Sequence, residues 1–129
     1  MYSTDHCFYC EAPGHRLSVH SIRKRKIYDI DGPRIVTYTV DHCHDCKRFK
    51  VCQWLRYMLV GQSKITKALA DEFLRQLETW PLWKVAGMYR INFGVEIPES
   101  TLHDVLTTRR MELIDEKNRL HGGATTKRR

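Results

Sequence analysis

Two Cys-x2-Cys pairs constrain this chain more than any other feature. Cys7 and Cys10 form the first pair and Cys43 and Cys46 the second, with 32 residues between them. The intervening chain is β-type on both sides of a break. Leu17, Val19, Ile22, Ile27, Tyr28 and Ile30 lead in, Asp31-Gly32-Pro33 interrupts, and Ile35 to Val40 leads out. Asp-Gly between two such runs is a strong hairpin signal. A hairpin centred there brings its two ends together, and those ends carry the cysteine pairs. Four converging thiolates make the tetrahedral site that structural zinc takes, so the sequence predicts one Zn²⁺ on Cys7, Cys10, Cys43 and Cys46. Metal and hairpin support each other, because a two-stranded ribbon is marginal alone.

The stretch CFYCEAPGHRLSVH, residues 7 to 20, offers a competing ligand set. Its C-x2-C-x4-H-x4-H spacing is similar to a retroviral-type zinc knuckle with His in the last place, which recruits His15 and His20. That choice takes His20 out of the strand pattern and leaves Cys43 and Cys46 unexplained. Ligand sets that include His42, His44 or Cys52 are further alternatives.

At 129 residues and 42% hydrophobic content the chain can bury one core, or a small metal domain joined to a helical one. The start, MYSTDHCFYC, has no basic region followed by an apolar one, so no signal peptide is expected. No apolar run approaches the roughly 18 residues of a membrane span. Five cysteines in that context point to a reducing, cytoplasmic setting, where Cys and His clusters bind metal.

The formal charge is +7 and the pI about 9.3. Basic residues cluster as Arg23, Lys24, Arg25 and Lys26, then Lys47, Arg48 and Lys50, then a KRR tail, while acidic residues gather in the second half. The first two clusters lie inside the metal module and are the candidate phosphate contacts, which makes nucleic acid, DNA or RNA, the expected partner.

After Val40 the pattern turns helical. Phe49 to Val60 reads as one helix ending near Gly61. Ser63 suits the cap of a second, with Ile65, Leu69, Phe73, Leu77 and Trp80 on one stripe. Pro81 opens a third through Tyr89, and Pro98 and Ser100 a last one carrying Leu102, Leu106, Leu113 and Leu120, stopped by Gly122-Gly123. The expected fold is α+β: a zinc-binding β-hairpin module over 1–52, a small helical bundle over 53–121, and a basic flexible tail over 122–129. Trp54, Trp80 and Trp83 fall at helical spacing and are expected as core anchors before base-stacking groups.

Two family resemblances follow from these residues. The double C-x2-C with about 30 residues between pairs, followed by helices, resembles the zinc-ribbon class and, in its layout, zinc-ribbon antitoxins and phage regulators. That resemblance implies a nucleic-acid-associated regulator of transcription acting on DNA or on a protein such as RNA polymerase. Within it, Lys84 to Tyr89 followed by Ser100 to Leu106 has the flavour of a helix-turn-helix with a long turn. The second resemblance rests on Val40-Asp41-His42-Cys43-His44, which after an upstream C-x2-C is similar to HNH nucleases of the endonuclease VII type. It implies Asp41 as ligand of a catalytic metal and His42 as general base, with His44 beside them. The chain departs from that family at Leu55 and Arg56, which stand where a partner Cys and an Asn are expected after Cys52.

Overall fold

The computed structural model describes Cys7, residues 10–13 and residues 16–121; His15 and the basic tail lie outside these. Strands β1 (Leu17–Asp29), β2 (Gly32–Cys43) and β3 (Phe49–Val51) form an antiparallel sheet in the order β1-β2-β3. Helices α1 (Gln53–Met58), α2 (Lys67–Gln76), α3 (Leu82–Phe93) and α4 (Glu99–His121) follow, so the class is α+β with the strands first. Among the described residues, no helix is long and apolar enough to cross a membrane.

The hairpin closes one residue earlier than the Asp-Gly signal suggests. Asp29 pairs with Gly32, which leaves Ile30 and Asp31 as the loop. The left-handed backbone falls on Gly32, at φ +113°, and a Cβ there would sit 2.8 Å from Phe93 Cδ1 of α3. Only glycine meets both conditions. At the other end of the ribbon a bulge between Val19 and Ser21 absorbs His20 and lets Leu17 pair with Cys43.

Asp29 ties the hairpin tip to the helices. Its carboxylate accepts from Thr66 Oγ1 at 2.9 Å, Arg34 Nε at 3.0 Å and the Ile30 N–H at 2.8 Å, and its carbonyl accepts the Tyr89 hydroxyl at 2.9 Å. Burial pushes the carboxyl's pKa up, but these donors outweigh it and hold the group below the usual range. Thr66 also caps α2 by accepting the Leu69 N–H at 3.1 Å. It takes the place expected for Ser63, which instead accepts from the Ile65 N–H.

The run from Phe49 to Val60 is divided. Phe49–Val51 pairs with Val40–His42 as β3, because the edge of β2 offers backbone partners that three residues of isolated helix cannot match. The six-residue α1 survives by burial: Leu55 and Leu59 pack with Ile27, Val36 and Cys52 against the sheet.

A second core joins α2, α3 and α4 through Leu69, Phe73, Val85, Tyr89, Leu102 and Leu106. The tryptophans are not its anchors. Trp54, Trp80 and Trp83 are 46%, 42% and 64% exposed, and Lys84 Nζ lies 4.1 Å over the Trp80 ring, beyond the end of α2. Leu113 and Leu120 also leave the core, since α4 spans 23 residues against ten in α2 and burial along it ends at Arg109. That arginine is buried between α2 and α4. Nε and Nη2 donate to the two Asp71 carboxylate oxygens at 2.7 and 3.0 Å, and Nη1 donates to Glu112 at 3.2 Å with Glu116 at 3.8 Å. The segment expected as the first half of a helix-turn-helix, Lys84 to Tyr89, is the interior of α3, and residues 94–98 join it to α4.

Candidate metal centre

The β1–β2 register sets the end of β2 beside the start of β1, and the four paired cysteines meet there. Cys7 Sγ lies 3.6 Å from Cys46 Sγ and Cys10 Sγ 3.7 Å from Cys43 Sγ, with all four sulfurs within 4.8 Å of one another. Disulfides need about 2.05 Å. Four sulfurs at about 2.3 Å from a central cation, by contrast, sit on tetrahedral edges of about 3.8 Å. The spacing is therefore that of a metal site, and the crossed pairing makes each C-x2-C contribute to both edges.

Both pairs are presented by the same turn. In the first, the Glu11 N–H donates to the Cys7 carbonyl at 3.0 Å and the Cys7 N–H to the Ala12 carbonyl at 2.9 Å. In the second, the Lys47 N–H donates to the Cys43 carbonyl at 2.9 Å and the Cys43 N–H to the Arg48 carbonyl at 3.0 Å. The residue after the second cysteine is left-handed in each, Glu11 at φ 60° and Lys47 at φ 64°. The Cys10 N–H also points at Cys7 Sγ at 3.5 Å. The knuckles are latched together by the His44 N–H on the Arg16 carbonyl at 2.9 Å and by Arg16 Nε on Asp45 at 2.7 Å.

Left-handed backbone costs a side-chain-bearing residue about 1–2 kcal/mol, while glycine costs about 0.5–1 kcal/mol in lost freedom. Glu11→Gly is therefore expected to stabilise the knuckle by about 0.5–1 kcal/mol. Glu11→Ile is expected to destabilise it, and the chelator concentration that half-strips the metal would read both.

Without a metal, two of the thiols are shifted by their surroundings. The Ala12 N–H pulls the Cys10 thiol down, but loss of solvent and the neighbouring Cys7, Cys43 and Cys46 push it up to about 12. Loss of solvent, helped by Cys7 and Cys43, also raises Cys46. A divalent cation at the centre of the four sulfurs stabilises their thiolates.

The other sequence candidates lie beside this centre. Among the described residues, these four cysteines are the one group of three or more Cys, His, Asp or Glu whose donor atoms cluster at metal-binding distance. Cys52, weighed as a ligand, is buried in the apolar cluster under α1. His42 stacks on Phe49 at 4.7 Å, with His20 on the same ring at 4.6 Å and His44 5.3 Å from His42. His44 Nε2 is 3.0 Å from Ser18 Oγ. Loss of solvent lowers the His42 pKa, with His44, Lys47 and His20 adding to it. Asp41 is buried, accepts the Thr39 hydroxyl at 3.0 Å, and points to the opposite face of β2 from His42. The His15 alternative lies outside the described residues.

Strand alternation divides the basic run. Lys24 and Lys26 stand exposed on the outer sheet face with Ile22, Ile35 and Thr37. Arg23 and Arg25 share the other face with Val36 and Tyr38. Lys47 and Arg48 are exposed on the second knuckle, and Lys50 lies half-buried in β3 opposite Asp41. Sequence reasoning missed the two left-handed residues and the Arg16–Asp45 latch. The only available signal was position, since Glu11 and Lys47 each follow the last cysteine of a pair.

Compared with protein-family models, curated proteins and solved structures, the chain finds no match, so its functional assignment rests on this geometry.

Proposed function

We propose that this chain is a zinc-stapled, nucleic-acid-associated regulatory protein. Cys7, Cys10, Cys43 and Cys46 hold one Zn²⁺, the metal that a tetrahedron of soft thiolates suits as a structural site. The zinc fixes the base of the hairpin, and the outer ribbon face and second knuckle lie along phosphates.

The carrying observation is the balance of exposed charge on the ribbon and its knuckles. Asp29 is bonded to Thr66 and Arg34, Asp45 to Arg16, and Asp41 is buried against Thr39. Glu11 and Asp31 are the exposed carboxylates left over the same region, against the exposed Lys24, Lys26 and Lys47. The balance supports a surface that attracts a polyanion through counterion release. Control of transcription is the role this surface suits.

Lys24→Ala with Lys26→Ala alters only the exposed outer face, so the fold should persist. Each lost phosphate contact removes about 0.9 from the slope of log affinity against log salt on duplex DNA, so the pair should reduce it by about 2. An unchanged affinity and slope would reject the proposal.

A protein-interaction role is the second reading, with a host enzyme such as RNA polymerase as its partner. It is favoured by α4, where Met111, Ile114 and Leu120 are exposed beyond the last packed turn. That reading expects weak nucleic-acid binding beside a stable protein complex.

A further inference from the structure

We infer that the Phe49 ring, flanked by His20 and His42, is a stacking platform for a base of single-stranded nucleic acid. Three strands build it. Phe49 of β3 pairs with His42 of β2, so their side chains stand on one face of the sheet. The bulge in β1 brings His20 to the same side. Val19 pairs with Asp41 on the outer face, Ser21 with Val40 on the other, and His20 between them lies against the Phe49 ring. His20 meets that ring at 63° and His42 at 37°.

The fold leaves this cluster uncovered. Helix α1 protects the same face only farther along, where Leu55 and Leu59 pack on Ile27 and Val36. Phe49 is 49% exposed, and His20 and His44 are exposed with it. Every base has a π-face, so an exposed aromatic ring can hold one without reading sequence.

The surrounding charge suits the phosphates of the same strand. Arg23 shares the face, with Nε donating to Ser21 Oγ at 3.2 Å. Lys47 is exposed on the second knuckle, within electrostatic reach of His42. Between Ser18 and Arg25, and between Val36 and His42, the residues on this face include no Asp or Glu. A nucleotide strand offers a π-face and an anion in every unit, which matches both features. A duplex keeps its bases stacked inside, so only an unpaired segment or a frayed end reaches the ring. This deepens the nucleic-acid reading and rests on it, adding the form of the strand and the side chain that receives the base.

The test compares a thymidine octamer with an abasic octamer of equal charge, each titrated onto the full zinc-loaded chain by fluorescence anisotropy. The parent should bind the thymidine octamer about tenfold or more tighter. Phe49→Leu should erase that preference while leaving affinity for the abasic strand unchanged, and Phe49→Trp should keep it. Equal affinities in the parent, or a preference that survives Phe49→Leu, would overturn the platform. So would a Phe49→Leu variant that loses both strands equally, because the ring would then serve the fold alone. Duplex binding is measured alongside. Salt-dependent duplex binding beside equal octamer affinities rejects only this inference, whereas no binding to duplex or to either octamer rejects the nucleic-acid reading with it.

Discussion

Cys43→Ser is expected to strip the protein of its metal and unravel one end of the hairpin while leaving the helices folded. Structural zinc sites contribute about 10–16 kcal/mol of apparent binding free energy in small metal peptides. Losing an outer partner alone costs about 10–100-fold in affinity, and loss of a ligand should exceed that. The cluster at this end consists of Cys7, Ala12, Leu17 and Cys43 with Cys46 beside them, so without metal little apolar core remains there. The helical core around Phe73 and Leu102 shares no residue with it. Hydrogen exchange should show lost protection over Leu17–Val19 and Asp41–Lys47, with α2 and α4 unchanged. Cys52→Ala is the control: it removes a sulfur from the α1 cluster and costs about 1–2 kcal/mol of stability, but the metal stays. Metal retained in Cys43→Ser, or lost in Cys52→Ala, would contradict the site.

The second large effect is expected at Arg109. Breaking a buried ion pair by removing one partner costs about 3–5 kcal/mol. Here Asp71 and Glu116 keep 46% and 43% of their side-chain surface in water and can rehydrate, so Arg109→Met should cost about 2–3 kcal/mol. The variant leaves Asp71, Glu112 and Glu116 facing one another without their cation. Its deficit is read from urea midpoints. A double variant with Asp71→Asn should be less destabilised than the sum of the two singles. A double variant as destabilised as that sum would place the cost in lost packing instead.

Chemistry that depends on residue type was legible in the sequence; chemistry that depends on facing was not. The two cysteine pairs and the hairpin between them could be read because thiol spacing and strand composition are local signals. The knuckle turns were hidden because Glu11 and Lys47 carry side chains where glycine usually marks left-handed backbone. Cys52 looked like a possible ligand, yet Ile27, Val36 and Leu55 surround it with a core that only the sheet and α1 assemble. Phe49–Val51 became a strand because the edge of β2 was there to pair with it, a tertiary effect no window of sequence contains. The basic run 23–26 read as one patch, but the pleat sends alternate residues to opposite sides. Arg109 fell in a helical stripe of leucines, and its burial rests on Asp71, 38 positions away.

Zinc K-edge X-ray absorption on the purified chain tests the central claim most directly. The account predicts one zinc per chain with four sulfur neighbours at about 2.3 Å and no nitrogen in the first shell. A shell containing imidazole nitrogen, or a chain that binds no zinc, would contradict it.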